Sequence, residues 1–133
     1  MPVSGNVGVI NDQAKTTSVI VYSYGGSKLS SNLHSITEAM VQQTKEELSK
    51  VAKSSSGSPK TIELKVNFLL SRYSVFYWKS NLNFAAKLGD GEVVSMTVPH
   101  SSGILIQDLN GCIAESVMKL LNDQRVRTYL AEK

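Results

Sequence analysis

The chain has 133 residues, 41% hydrophobic and 19% charged, enough for one buried core but not for two, which excludes a multidomain enzyme. Its apolar runs, such as Val19 to Tyr22 and Val75 to Trp78, fall far short of the roughly 20 residues a membrane-spanning helix needs. Lys and Arg (14) exceed Asp and Glu (11) for a formal charge of +3, spread without a basic cluster, so the electrostatic footprint of a nucleic-acid binder is missing.

Residues 1 to 6 include Pro2 and Gly5 and carry no periodicity, which predicts a flexible arm before a single domain spanning 7 to 133. Val7 to Ile10 and Ser18 to Tyr24 are β-branched and aromatic runs, read as two strands with a polar turn at Asn11 to Thr17 between them. These short strands are the expected free edge of the sheet. Gly25 and Gly26 stop the second strand. With Ser27 and Lys28 they lack the full spacing of a phosphate-binding loop and read as a strand exit.

From Leu33 the period becomes helical, with Leu33, Ile36, Met40, Val41, Leu48 and Val51 on one stripe and an end near Lys53. Ser35 and Glu38 fit a capping box, Ser30 or Ser31 fits an earlier start, and Glu46 supports Lys50 one turn on. Ser54 to Pro59 is a polar connector.

Ile62, Leu64, Val66, Phe68 and Leu70 then alternate with Thr61, Glu63, Lys65 and Asn67, which predicts a central strand with all five apolar side chains on one face. The alternation returns at Leu82, Phe84, Ala86 and Leu88. Gly89-Asp90-Gly91 supplies a tight turn before Glu92 to Val98, and Pro99 ends that strand. A second helix places Ile106, Leu109, Ile113, Val117, Leu120 and Leu121 on a buried stripe with Cys112 at its edge and Ser101 or Ser102 as cap. Gly111 weakens that helix by about 1 kcal/mol. Asn122-Asp123 breaks or re-caps it, and Val126, Tyr129 and Leu130 dock a short terminal turn. The expected fold is α+β: an antiparallel sheet of about four to five strands with two helices on one face, in β-β-α-β-β-β-α order.

Motif chemistry is sparse. His34 and His100 lie in neither HxH nor HxxxH spacing, so no metal and no cofactor are expected. Cys112, alone in the chain, reads as a small buried hydrophobe. A catalytic reading would have to join His100 to a carboxylate such as Asp108; the bland reading, in which the serines beside His100 cap a helix, outweighs it, and no enzyme is expected. The aromatic group Tyr73, Phe76, Tyr77 and Trp78, with Val75, lies where one strand gives way to the next and cannot turn every ring inward. It is the expected contact surface for a protein partner or for self-association. Arg72 and Lys79 beside it do not amount to a consensus for nucleic acid, and none is expected. The alternative is a small-ligand or lipid pocket between helices and sheet.

Two stretches carry a resemblance. Val7-Gly8-Val9-Ile10-Asn11-Asp12-Gln13, followed by a strand, a glycine and a helix, resembles the early Val-x-Val-x-Asp-x-Arg portion of the small bacterial YajG-type lipoproteins, and Leu120 to Leu130 is similar to that family's closing helix. The resemblance implies a chain tethered through an N-terminal lipid anchor, removed from this sequence, to the outer membrane and facing the periplasm; a native start at Met1 would instead imply the cytoplasm. It brings no catalytic residues and implies an accessory or adaptor role in the cell envelope.

Overall fold

The computed structural model describes residues 2–24, 27–51, 53, 54 and 57–133. Gly25 and Gly26, with the strand exit assigned to them, and Ser55 and Ser56 of the connector lie outside the described residues. The elements are β1 (Val3–Ser4), β2 (Val7–Asn11), β3 (Ser18–Tyr24), β4 (Ser27–Asn32), α1 (Leu33–Ser49), β5 (Lys53–Ser54), β6 (Lys60–Ser74), β7 (Tyr77–Leu88), β8 (Val93–Ser102), α2 (Leu105–Asn122) and α3 (Gln124–Ala131). The fold is α+β: a six-stranded mixed sheet ordered β4-β3-β6-β7-β8, with β2 also on β6 and the helices on one face. A small second sheet pairs β1 with β5, so the segment read as a loose arm contributes a strand, and Val3 is buried.

β6 is central, as its alternation requires, and it carries the main departure from that pattern. Ile62, Leu64 and Val66 are fully buried, but a bulge between Val66 and Phe68 inserts one residue and exchanges the two faces beyond it. Leu69 and Ser71 therefore point into the core, while Phe68, expected inside, is 45% exposed and Leu70 is only partly buried. Opposite them Leu82, Phe84, Ala86 and Leu88 keep the expected register and are buried.

The N-terminal strands do not form a hairpin. β2 and β3 both run parallel to β6, β2 against Lys60–Leu64 and β3 against Ser71, like one strand interrupted between them. At the interruption β6 is held by side chains. Gln13 Nε2 donates to the Val66 carbonyl (2.8 Å), and the Val66 N–H donates to Thr37 Oγ1 (3.0 Å). β4, a strand the sequence reading did not assign, pairs antiparallel with β3 and takes the outer position on that side, so Ser30 and Ser31 are strand residues and not caps.

α1 starts one residue after Asn32, whose side chain accepts from the Ser35 N–H (2.8 Å); the cap is Asn32 and not Ser35. It ends at Ser49, short of Lys53, and Lys50 pairs with Glu47 instead of Glu46. Pro99 does not end β8, which continues to Ser102. An edge strand tolerates proline because an N–H facing away from the sheet is not missed. Ser101 and Ser102 are thus strand residues, and α2 begins after Ile104 without a side-chain cap. Asp123 both ends α2 and caps α3, accepting from Arg125 and Val126, so the expected terminal turn is a full short helix that buries Val126, Tyr129 and Leu130. Among the described residues no helix is long and apolar enough to cross a membrane.

Candidate functional site

β6 and β7 run on beyond the helix layer. Trp78 of β7 faces Ser102 at the end of β8, where the chain leaves the sheet for α2, so everything from Ser74 to Tyr77 overhangs β8. The Ser74–Tyr77 pair closes a two-residue turn at Val75–Phe76. Both tip residues have negative φ, so this is not the primed turn with left-handed residues that tight hairpins favour.

The tip is apolar and wet: Val75 is 73% and Phe76 87% exposed. Its base is stiffened by a ring cluster on the helix-side face. Trp78 meets Tyr22 edge-on with centroids 4.7 Å apart and an interplanar angle of 84°, and Tyr73 at 4.7 Å and 56°. The Tyr73 hydroxyl donates to the Val75 carbonyl (3.2 Å). On the opposite face Lys79 Nζ lies 5.3 Å from the Tyr77 ring centroid, and its hydrogen bond to the phenol holds that hydroxyl below its ordinary range. Of the four aromatic residues singled out in the sequence, Phe76 stands outward, Tyr73 and Tyr77 are exposed flanks, and half-buried Trp78 is the support. The sequence reading missed Ile104 and Ile106 at this same end. Ile106, expected on the buried stripe of α2, is 54% exposed, and Leu105 of the same turn packs against the core instead.

Next to the ring cluster, between α1, α2 and the β3–β4 pair, lies a groove of about 310 Å³. Val21, Leu29 and Leu69 form its floor, Ile36, Ile106 and Ile113 its walls, and no charged side chain lines it. A second, larger cleft of about 490 Å³ lies by β7 and β8 at His100.

His100 does meet a carboxylate, but it is Glu115, whose Oε2 lies 2.8 Å from Nδ1, and not Asp108, which is fully buried and accepts from Ser71 Oγ (2.6 Å). His34, at the start of α1, has Nδ1 2.7 Å from the Gln13 carbonyl. Cys112 is buried with its thiol donating to the Val98 carbonyl (3.4 Å), and desolvation pushes its pKa up to about 11, far from a reactive thiolate. Among the described residues no group of three or more His, Cys, Asp or Glu is placed to hold a metal ion.

The His100 ring explains Gly111. A Cβ at Gly111 would sit 2.4 Å from Nε2 and 3.0 Å from Cε1, because the imidazole lies against the helix backbone there. Gly111→Ala therefore should not bring the gain of about 1 kcal/mol that an exposed helix position gives. It should destabilise by about 1 kcal/mol, since the ring has to leave Glu115 to make room. In a His100→Ala background the same change should stabilise. Urea melts of the four proteins in this cycle read the sign reversal; a stabilising Gly111→Ala with His100 present would contradict the contact.

No protein-family model matches this chain, and no curated protein matches it.

Proposed function

We propose that this chain is a non-enzymatic accessory or adaptor domain of the bacterial cell envelope, the folded part of a periplasm-facing lipoprotein, and that it holds a protein partner through the β6–β7 tip. The observation that carries the reading is the pair Val75 and Phe76, large apolar side chains in water at the end of a stiffened two-stranded arm. Burying Phe76 in a partner's socket is worth about 1.5–3 kcal/mol, the scale of a contact that dominates an interface. Arg72 and Lys79 face each other across the strands just behind the tip, so the socket that fits has an apolar floor and an acidic rim. The resemblance of residues 7–13 and 120–130 supports the envelope location and the lipid anchor.

A photo-crosslinking residue placed at position 76 in intact cells should capture a discrete protein, and one placed at Glu63, on the outer face of β6, should not. With the probe moved to position 75, Phe76→Ser should reduce capture by at least about tenfold, the loss expected when one buried aromatic contact of about 1.4 kcal/mol or more is removed. Equal labelling from positions 76 and 63 would remove the proposal.

A second reading, a small-ligand or lipid-binding domain, is favoured by one observation: the uncharged groove between the helices and the sheet, whose volume is at the lower end of the range for ligand sites. Native mass spectrometry of protein purified without detergent should then show an apolar adduct, lost in Leu69→Glu. Repeated absence of an adduct counts against it.

A further inference from the structure

We propose that a second copy of this chain pairs antiparallel with the free edge of β8, making one continuous sheet across a two-fold axis at Ser95. β8 ends the strand order and pairs only with β7 among the described residues. Proteins usually guard such an edge with lysine, a bulge or a covering segment. Val93 to Val98 carries no charge, no proline and no register shift against β7.

The backbone phase is fixed by the hairpin. The Leu88 N–H donates to the Glu92 carbonyl (2.8 Å), so on β8 the even residues from Val94 to Ser102 bond inward to β7 and the odd ones present both backbone groups outward. Val93, Ser95 and Thr97 thus offer a donor and an acceptor each, whereas Pro99 offers only a carbonyl. The register that uses all three outward residues and keeps Pro99 out of the new ladder sets Ser95 opposite Ser95 of the second copy, and Val93 opposite Thr97. Shifting the axis to Thr97 would set Pro99 against Ser95 and lose bonds.

The helix layer fits the same axis. α2 packs over both β7 and β8. An α2 axis midway between these two strands would lie about 10 Å from its image across a new strand spacing of about 4.8 Å, a normal packing distance for helices. The α2 surface bordering the edge carries Met118, 47% exposed, beside Met96, with Glu115, Lys119 and Asp123 around them. A two-fold axis here sets this stripe against its own image, so methionine meets methionine, an apolar self-contact of the kind an isologous interface requires, while Glu115 and Asp123 are held within the chain by His100 and Arg125.

Light scattering behind size exclusion, over a concentration series, should give twice the chain mass, with slow amide exchange at Val93, Ser95 and Thr97. Ser95→Pro removes an outward N–H and leaves the β7 ladder intact. It should weaken association by at least about tenfold with an unchanged circular dichroism spectrum. Met118→Glu, a change at an exposed helix position that sets like charges against each other across the axis, should do the same and decides the matter if Ser95→Pro does not fold. Phe76→Ser should remain dimeric, which separates this contact from the partner site at the tip. A wild-type mass of one chain throughout the series, or a dimer indifferent to Met118→Glu or to a folded Ser95→Pro, would overturn the proposal.

Discussion

Phe84→Ala should lower the free energy of unfolding by about 3–5 kcal/mol, whereas Phe68→Ala should lower it by less than about 1 kcal/mol. From the alternation of hydrophobic residues alone, both phenylalanines belong to the core. Phe84 is fully buried opposite Val66, and its removal opens a cavity that the packed strands and helices cannot close. Phe68 stands just past the bulge, on the solvent side, so Ala at that position gives up little buried area. Equilibrium urea unfolding of the two variants measures the contrast directly. Equal losses would mean that the bulge is absent and that Phe68 lies inside after all.

The bulge also marks where the sequence stops being legible. A period of two identifies strands and tells which residues share a face only while the count is unbroken. From Ile62 to Val66 and from Leu82 to Leu88 it is unbroken, and burial follows the pattern residue by residue. At Asn67 one extra residue enters, and no composition signal distinguishes Asn67 from its neighbours because a bulge is decided by pairing with β7 and by the loss of β2 at its flank. Strand direction is hidden for a similar reason. The polar stretch after Asn11 suits a hairpin turn as well as it suits the break between two parallel strands, and only the distant partner, β6, distinguishes them. The helices were legible in their stripes and not in their starts: Asn32 captured the cap role by one hydrogen bond, and in the first turn of α2 Leu105, not Ile106, packs against the core.

The candidate site was half legible. Crowding of five large side chains in six positions already implies that some are exposed. Which ones depends on the two-residue turn, since it alone sets Val75 and Phe76 beyond the last pair and sends Trp78 back against Tyr22. Ile104 and Ile106 join this end of the molecule only through the register of β8 on β7, a relation across more than twenty residues that no local pattern encodes.

The polar plug at the strand break should prove nearly as costly to lose as a core side chain. Where β2 ends, at Asn11 opposite Leu64, the next residue of β6 to present its backbone to that side is Val66. Its carbonyl and its N–H are satisfied by Gln13 and Thr37, both almost fully buried. Gln13→Met and Thr37→Val keep the volume nearly constant and remove only the polar atoms, so each leaves one buried backbone group without a partner. The expected loss is about 1–3 kcal/mol for each, and about 2–6 kcal/mol for the double variant, because the two side chains serve different atoms of Val66. Gln13 carries a further load: its Oε1 accepts from the Lys15 N–H (3.2 Å), so Gln13→Met should also loosen the segment leading to β3. Amide exchange at Lys15 should accelerate in Gln13→Met, and at Val66 in Thr37→Val. A double variant no less stable than either single would show that one water can serve both groups of Val66, and that the two side chains act as spacers rather than as substitutes for the missing strand.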